Sequence, residues 1–148
     1  MATYLHFFEA ENTGLGQETK RSIQEAFGAA DIALGELGTI SSGDILFLIG
    51  HGSPASLTGN SPADLAKILT DGGLRQPVQI MLYSCDTGFG GAPYALELKI
   101  QLVQRGVLCS VVAPTGPIGG DFDVHTEANM PFYGTGHLPQ YNKPAWVR

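Results

Sequence analysis

Apolar residues in this chain fall in short blocks separated by glycine, proline and small polar residues, and their period changes from block to block. Asp44-Ile45-Leu46-Phe47-Leu48-Ile49 is nearly continuous in apolar residues, the pattern of a strand covered on both faces in a parallel sheet. Val78 to Ser84 predicts a second such strand, Val107 to Ala113 a third that closes at Pro114, and Thr3 to Phe8 an earlier strand at the amino terminus. Between the strands the spacing turns helical. Gln17 to Ala30 places Ile23, Ala26, Phe27 and Ala30 at three- and four-residue steps. Ser61 offers a helix cap, Pro62 a first helical position and Asp64 an acid near the positive end of the helix dipole; Leu65, Ile68 and Leu69 share one face, and Gly72-Gly73 ends the helix after Asp71. Pro93 to Gln104 predicts a further helix with Leu96, Ile100 and Val103 inward. After Gly119-Gly120 only short strands or irregular chain are expected.

Strand, helix, strand, helix, strand in this order predicts an α/β fold: a three-layer sandwich with a mainly parallel central sheet. A length of 148 residues suits one domain spanning 1–148. Eight Lys plus Arg against fourteen Asp plus Glu leave a net charge of −6, which repels phosphate backbones and anionic lipid, so neither nucleic acid nor a membrane is expected as a partner. No apolar run approaches the ~18 residues that span a bilayer. The amino terminus lacks the basic start, apolar stretch and cleavage site of a secretory signal, which predicts a cytoplasmic protein or one secreted by a signal-peptide-independent route. Two cysteines, Cys85 and Cys109, do not make a disulfide framework.

In open parallel sheets, catalytic groups collect at the carboxyl ends of the strands. Two motifs fall there: Gly50-His51-Gly52-Ser53 after one buried strand and Ser84-Cys85-Asp86-Thr87-Gly88 after the next. One crossover helix separates the strands, so they are expected to be neighbours, with His51 and Cys85 on one edge. A thiolate at Cys85 is a nucleophile, and His51 can take its proton and later give one to a leaving amine. The N–H groups of Gly52 and Cys85 would then form an oxyanion hole. Singly, such a cysteine is more often a small buried apolar residue and such a histidine a turn residue. Their joint placement favours chemistry. Asp86 either lines the cleft or caps the next turn.

These residues resemble the clan CD cysteine peptidases, the caspase-like group that includes gingipains, clostripain, separase and the self-processing protease domains of bacterial toxins. The likeness lies in Leu46-Phe47-Leu48-Ile49-Gly50-His51-Gly52 and Ile80-Met81-Leu82-Tyr83-Ser84-Cys85-Asp86-Thr87-Gly88, is greatest to the toxin domains, and covers roughly half of the chain, residues 45–113. It implies a caspase-like fold and a cysteine endopeptidase acting on a protein or peptide, such as a bacterial effector or toxin protease, with His51 as general acid/base, Cys85 as nucleophile and no cofactor. Asp44 is the nearest acid on the strand of His51, but it stands at that strand's far end. Activation by inositol hexakisphosphate, known in the toxin domains, needs a dense basic cluster. Here eight basic residues are scattered, so no such site is expected. In the group, the loop after the third buried strand, here Pro114 to Asp123, builds the specificity pocket. Asp121 and Asp123 would suit a basic side chain there.

Two other readings stand beside this one. Gly50-His51-Gly52-Ser53 after an apolar strand also resembles the metal-binding opening of small tetrapyrrole chelatases, although no second histidine sits at a strand end. The third is a non-catalytic caspase-fold interaction module. His6, His125 and His137 lack metal-ligand spacing, and no metal is expected. Cys109 is expected as a buried strand residue, and Trp146 with Tyr133 and Tyr141 as packing for the tail.

Overall fold

The computed structural model describes residues 1–8, 20–21, 23–25, 27–84, 87, 93–114 and 132–133, with the backbone alone at 114, 132 and 133. Five parallel strands form the sheet: β1 (Thr3–Phe7), β2 (Ala30–Asp31), β3 (Asp44–Ile49), β4 (Val78–Tyr83) and β5 (Cys109–Pro114). The antiparallel β6 (Phe132–Tyr133) completes the spatial order β2-β1-β3-β4-β5-β6. Two helices, α1 (Pro62–Asp71) and α2 (Tyr94–Gln104), form the β3-to-β4 and β4-to-β5 crossovers. The fold is α/β.

The two periods in β3 explain why both of its faces are buried. Leu46 and Leu48 turn to one face, where with Ile80, Leu82, Val111 and Ala113 they pack against Leu65, Ala66 and Leu69 of α1 and Ala95, Leu98 and Leu102 of α2. Ile45, Phe47 and Ile49 turn to the other, where they join Leu5, Met81, Tyr83 and Val112 beneath Ile23 and Phe27 of the helical residues between 20 and 27. Alternation by two in each strand thus supplies two cores with helices over both.

Local chemistry fixes the boundaries. Ser61 is the N-cap of α1, its Oγ accepting from the Asp64 N–H at 3.2 Å, and Pro62 follows it. The helical residues between 20 and 27 stop short of Ala30, because Gly28 takes φ 64 and Ala30–Asp31 joins β1 as an edge strand. Strand β4 stops at Tyr83 instead of Ser84. Strand β5 begins at Cys109, two residues after the expected start: Gly106 has φ 86 and the Val107 N–H returns to the Leu102 carbonyl at 2.9 Å, so Val107 closes α2. The short 3-10 helix Leu34–Thr39 carries no strong pattern and was not anticipated. Gln17 to 19 and nearly all of the chain after Pro114, including His125, His137, Tyr141 and Trp146, lie outside the described residues.

The inward face of α2 differs from expectation. Tyr94, Ala95, Leu98 and Leu102 are buried, whereas Ile100 and Val103 are 39% and 45% exposed. This helix is apolar around most of its circumference, so spacing by three and four fits two faces, and packing against α1 and β5 selects the one that includes small Ala95. In α1 the buried set is Leu65, Ala66, Leu69 and Thr70, with Ile68 half-buried.

At the amino ends of the strands, buried Asp44 accepts the N–H groups of Ala2 at 2.9 Å and Ser41 at 2.8 Å. These bonds tie the amino terminus to β3. Asp44→Ala leaves both donors without an acceptor and is expected to lower stability by about 2 kcal/mol, read as a lower urea midpoint with unchanged slope. No helix among the described residues is long and apolar enough to cross a membrane.

Candidate active site

The strand order reverses between β1 and β3: the chain leaves β1 for β2 on one side and returns to β3 on the other. Such a reversal opens a crevice at the carboxyl edge. His51 emerges there, two residues past β3. Ile49 is in register with Tyr83, and the Gly50 N–H continues the ladder to the Tyr83 carbonyl at 3.4 Å. His51 and Cys85 thus each follow, by two residues, a pair of register-matched residues on adjacent strands, which lie about 4.8 Å apart. Cys85, Asp86, Asp121 and Asp123 themselves lie outside the described residues.

His51 is exposed, and its imidazole has no hydrogen-bond partner among the described residues. Asp44 is no orienting acid for it, being at the opposite end of β3, about 20 Å away along an extended strand, with its carboxylate on the Ala2 and Ser41 N–H groups. His6 is accounted for otherwise: its Nδ1 donates to the Ile32 carbonyl at 2.9 Å, and its ring meets Phe8 edge-on.

After His51 the chain folds into a small hairpin. Gly52 faces Leu57, with the flanking groups bonded: Thr58 N–H to the His51 carbonyl at 2.6 Å and Ser53 N–H to the Ser56 carbonyl at 2.8 Å. Gly52 therefore occupies a non-hydrogen-bonded position, and its own N–H is free among the described residues. An unpaired N–H is one requirement of an oxyanion donor. Leu57 and Asn60 exchange both bonds across Thr58-Gly59, whose φ values of 49 and 77 have the sign pattern of a type I′ turn. Asparagine is favoured at the first of these positions; β-branched Thr58 costs about 1–2 kcal/mol there. Its hydroxyl is buried without a partner among the described residues, and a Cβ on Gly50 would stand 2.4 Å from it. Sequence reading missed Thr58. The only signal was Thr-Gly set between Leu57 and Asn60.

The start of α2 braces both loops. Buried Tyr94 donates its hydroxyl to the Asn60 carbonyl at 3.0 Å, at the foot of the His51 hairpin. Burial first, and Asp64 second, push that hydroxyl's pKa upward, so it remains a donor. The Ala95 N–H donates to the Thr87 carbonyl at 2.9 Å, beyond Cys85. Thr87 is itself buried, its hydroxyl on the Ser84 carbonyl at 3.1 Å and beside the Ser84 hydroxyl at 3.1 Å.

Other candidates stand apart. Cys109 begins β5, a half-buried free thiol whose pKa burial pushes up to about 11 against a weaker opposing pull from Lys99. Arg75 donates to the carbonyls of Thr70 and Leu74, and Arg105 reaches the Thr70 hydroxyl at 3.5 Å, both at the carboxyl end of α1 and away from His51. No group of three or more His, Cys, Asp and Glu among the described residues could hold a metal ion. No protein-family model, curated protein or solved structure matches the chain.

Proposed function

We propose that the protein is a cysteine endopeptidase of the caspase-like group, working through His51 and Cys85. The observation that carries this reading is the parallel pairing of β3 and β4 with Ile49 opposite Tyr83, because it starts the two motif loops from one sheet edge at equal height. The Gly52 N–H, free among the described residues, supports it independently.

In this reading His51 takes the Cys85 proton, and the thiolate Sγ attacks the carbonyl carbon of a peptide bond. The Gly52 and Cys85 N–H groups bind the oxygen as it becomes negative. The C–N bond breaks as His51 gives its proton to the departing amine, leaving a thioester. Water then attacks the thioester, losing a proton to His51, and the thiol and a carboxylic acid are regenerated. The reading takes His51 and Cys85 as a dyad, since among the described residues none orients the His51 imidazole. Asp86, Asp121 and Asp123 are proposed as cleft residues that favour a basic side chain on the substrate.

A mixed peptide library incubated with the pure protein tests this. Mass spectrometry should show new amino termini with wild type and none with Cys85→Ala. Cleavage that persists in Cys85→Ala contradicts the reading.

A further inference from the structure

Thr58 is a poor residue for the turn it occupies, and its side chain lies against the segment that carries His51. We propose that Thr58 is a positioning residue for the oxyanion hole, holding the His51–Gly52 peptide plane so that the Gly52 N–H stays aimed at the substrate oxygen. This inference rests on the peptidase reading above.

The backbone aims the donor. A trans peptide is planar, and its C=O and N–H point in opposite directions. The Thr58 N–H holds the His51 carbonyl at 2.6 Å, which turns the Gly52 N–H of the same peptide outward from the hairpin. A carbonyl that accepts a hydrogen bond also polarises its peptide and makes that N–H a stronger donor. The side chain packs behind it. Asparagine or glycine would suit a left-handed φ of 49, yet threonine stands there with its Oγ1 buried, unpartnered among the described residues and pressed into the space beside Gly50. That hydroxyl occupies the space beside Gly50, at the start of the segment that carries His51 and Gly52. Removing it frees the peptide plane to rock.

The test compares two reagents on the full chain. p-Nitrophenyl acetate acylates Cys85 through a tetrahedral oxyanion: the thioester C–S bond forms, the ester C–O bond breaks and p-nitrophenolate leaves. Iodoacetamide alkylates the same sulfur by displacing iodide, with no oxyanion to bind. Loss of one oxyanion donor lowers rates by about 10²–10³-fold, so displacement of a donor that is still present should cost about tenfold. Thr58→Gly is therefore expected to slow acylation of Cys85 about tenfold and to leave alkylation within about twofold, while Thr58→Ser keeps both rates. Thr58→Asn, also suited to the turn, replaces Thr58→Gly in the comparison if the glycine variant does not fold. Equal slowing of both reactions, or no slowing of acylation, overturns the positioning role. A wild-type Cys85 that alkylates no faster than Cys109 overturns the peptidase reading instead, before any Thr58 variant is compared.

Discussion

Cys85→Ala is expected to lower kcat for peptide hydrolysis by about 10⁴-fold or more, and His51→Ala by about 10³-fold, with KM changed little in either. The two numbers differ for a chemical reason. Without the sulfur no thioester forms, and the remaining oxyanion donors only polarise a carbonyl toward water. Without the imidazole a thiolate still forms by ordinary ionisation, so attack continues slowly, but the amine leaves without a proton donor. Because both residues serve one step, the double variant should be no slower than Cys85→Ala alone. Steady-state rates on a cleaved library peptide measure all three. A His51→Ala enzyme with full activity removes the dyad.

The largest effect on stability is expected at Gly72, far from the chemistry. A Cβ there would lie 1.8 Å from the Leu34 carbonyl oxygen and 3.3 Å from Leu37 Cδ1, and the neighbouring Leu37 N–H already donates to the Gly72 carbonyl at 3.1 Å. Backbone meets backbone here, so no rotamer change relieves the clash. Gly73, with φ 105 and a would-be Cβ 2.8 Å from the Gly38 nitrogen, prevents the turn from swinging away. Gly72→Ala should cost about 3 kcal/mol and lower Tm by about 10 °C. Gly35→Ala is the control: its Cβ meets nothing within 4 Å, and its Tm should match wild type. Thermal unfolding followed by circular dichroism reads both.

Strong local rules made much of the sheet readable in advance. Six consecutive buried residues in β3, and the Ser61-Pro62 cap with Gly72-Gly73 at the far end of α1, left little choice of boundaries. Where the sequence satisfied two arrangements, tertiary packing decided. Ile100 and Val103 fit a helical face as well as Leu98 and Leu102 do, and only the contacts with α1 and β5 distinguish them. Val107 is as apolar as a strand residue, but the left-handed Gly106 draws it into the end of α2. At the site, the Gly50-His51-Gly52 motif could be read from residue types and from the strand before it. Thr58 could not, because a β-branched residue at positive φ runs against every propensity that sequence reading uses. Such exceptions gather where a loop must be held in one shape.

The most direct measurement is alkylation of the native protein by a low concentration of iodoacetamide from pH 5 to 9, with Cys85 and Cys109 read separately by peptide mass spectrometry. Cys109 is an internal reference: with its pKa near 11, only about one thiol in 10⁵ is ionised at pH 6, and its rate should rise about tenfold per pH unit. Cys85 is expected to react at least about 100-fold faster than Cys109 at pH 6, and His51→Ala to abolish the advantage. Two cysteines that react alike, slowly and with the same slope against pH would contradict a thiolate–imidazolium pair at this sheet edge.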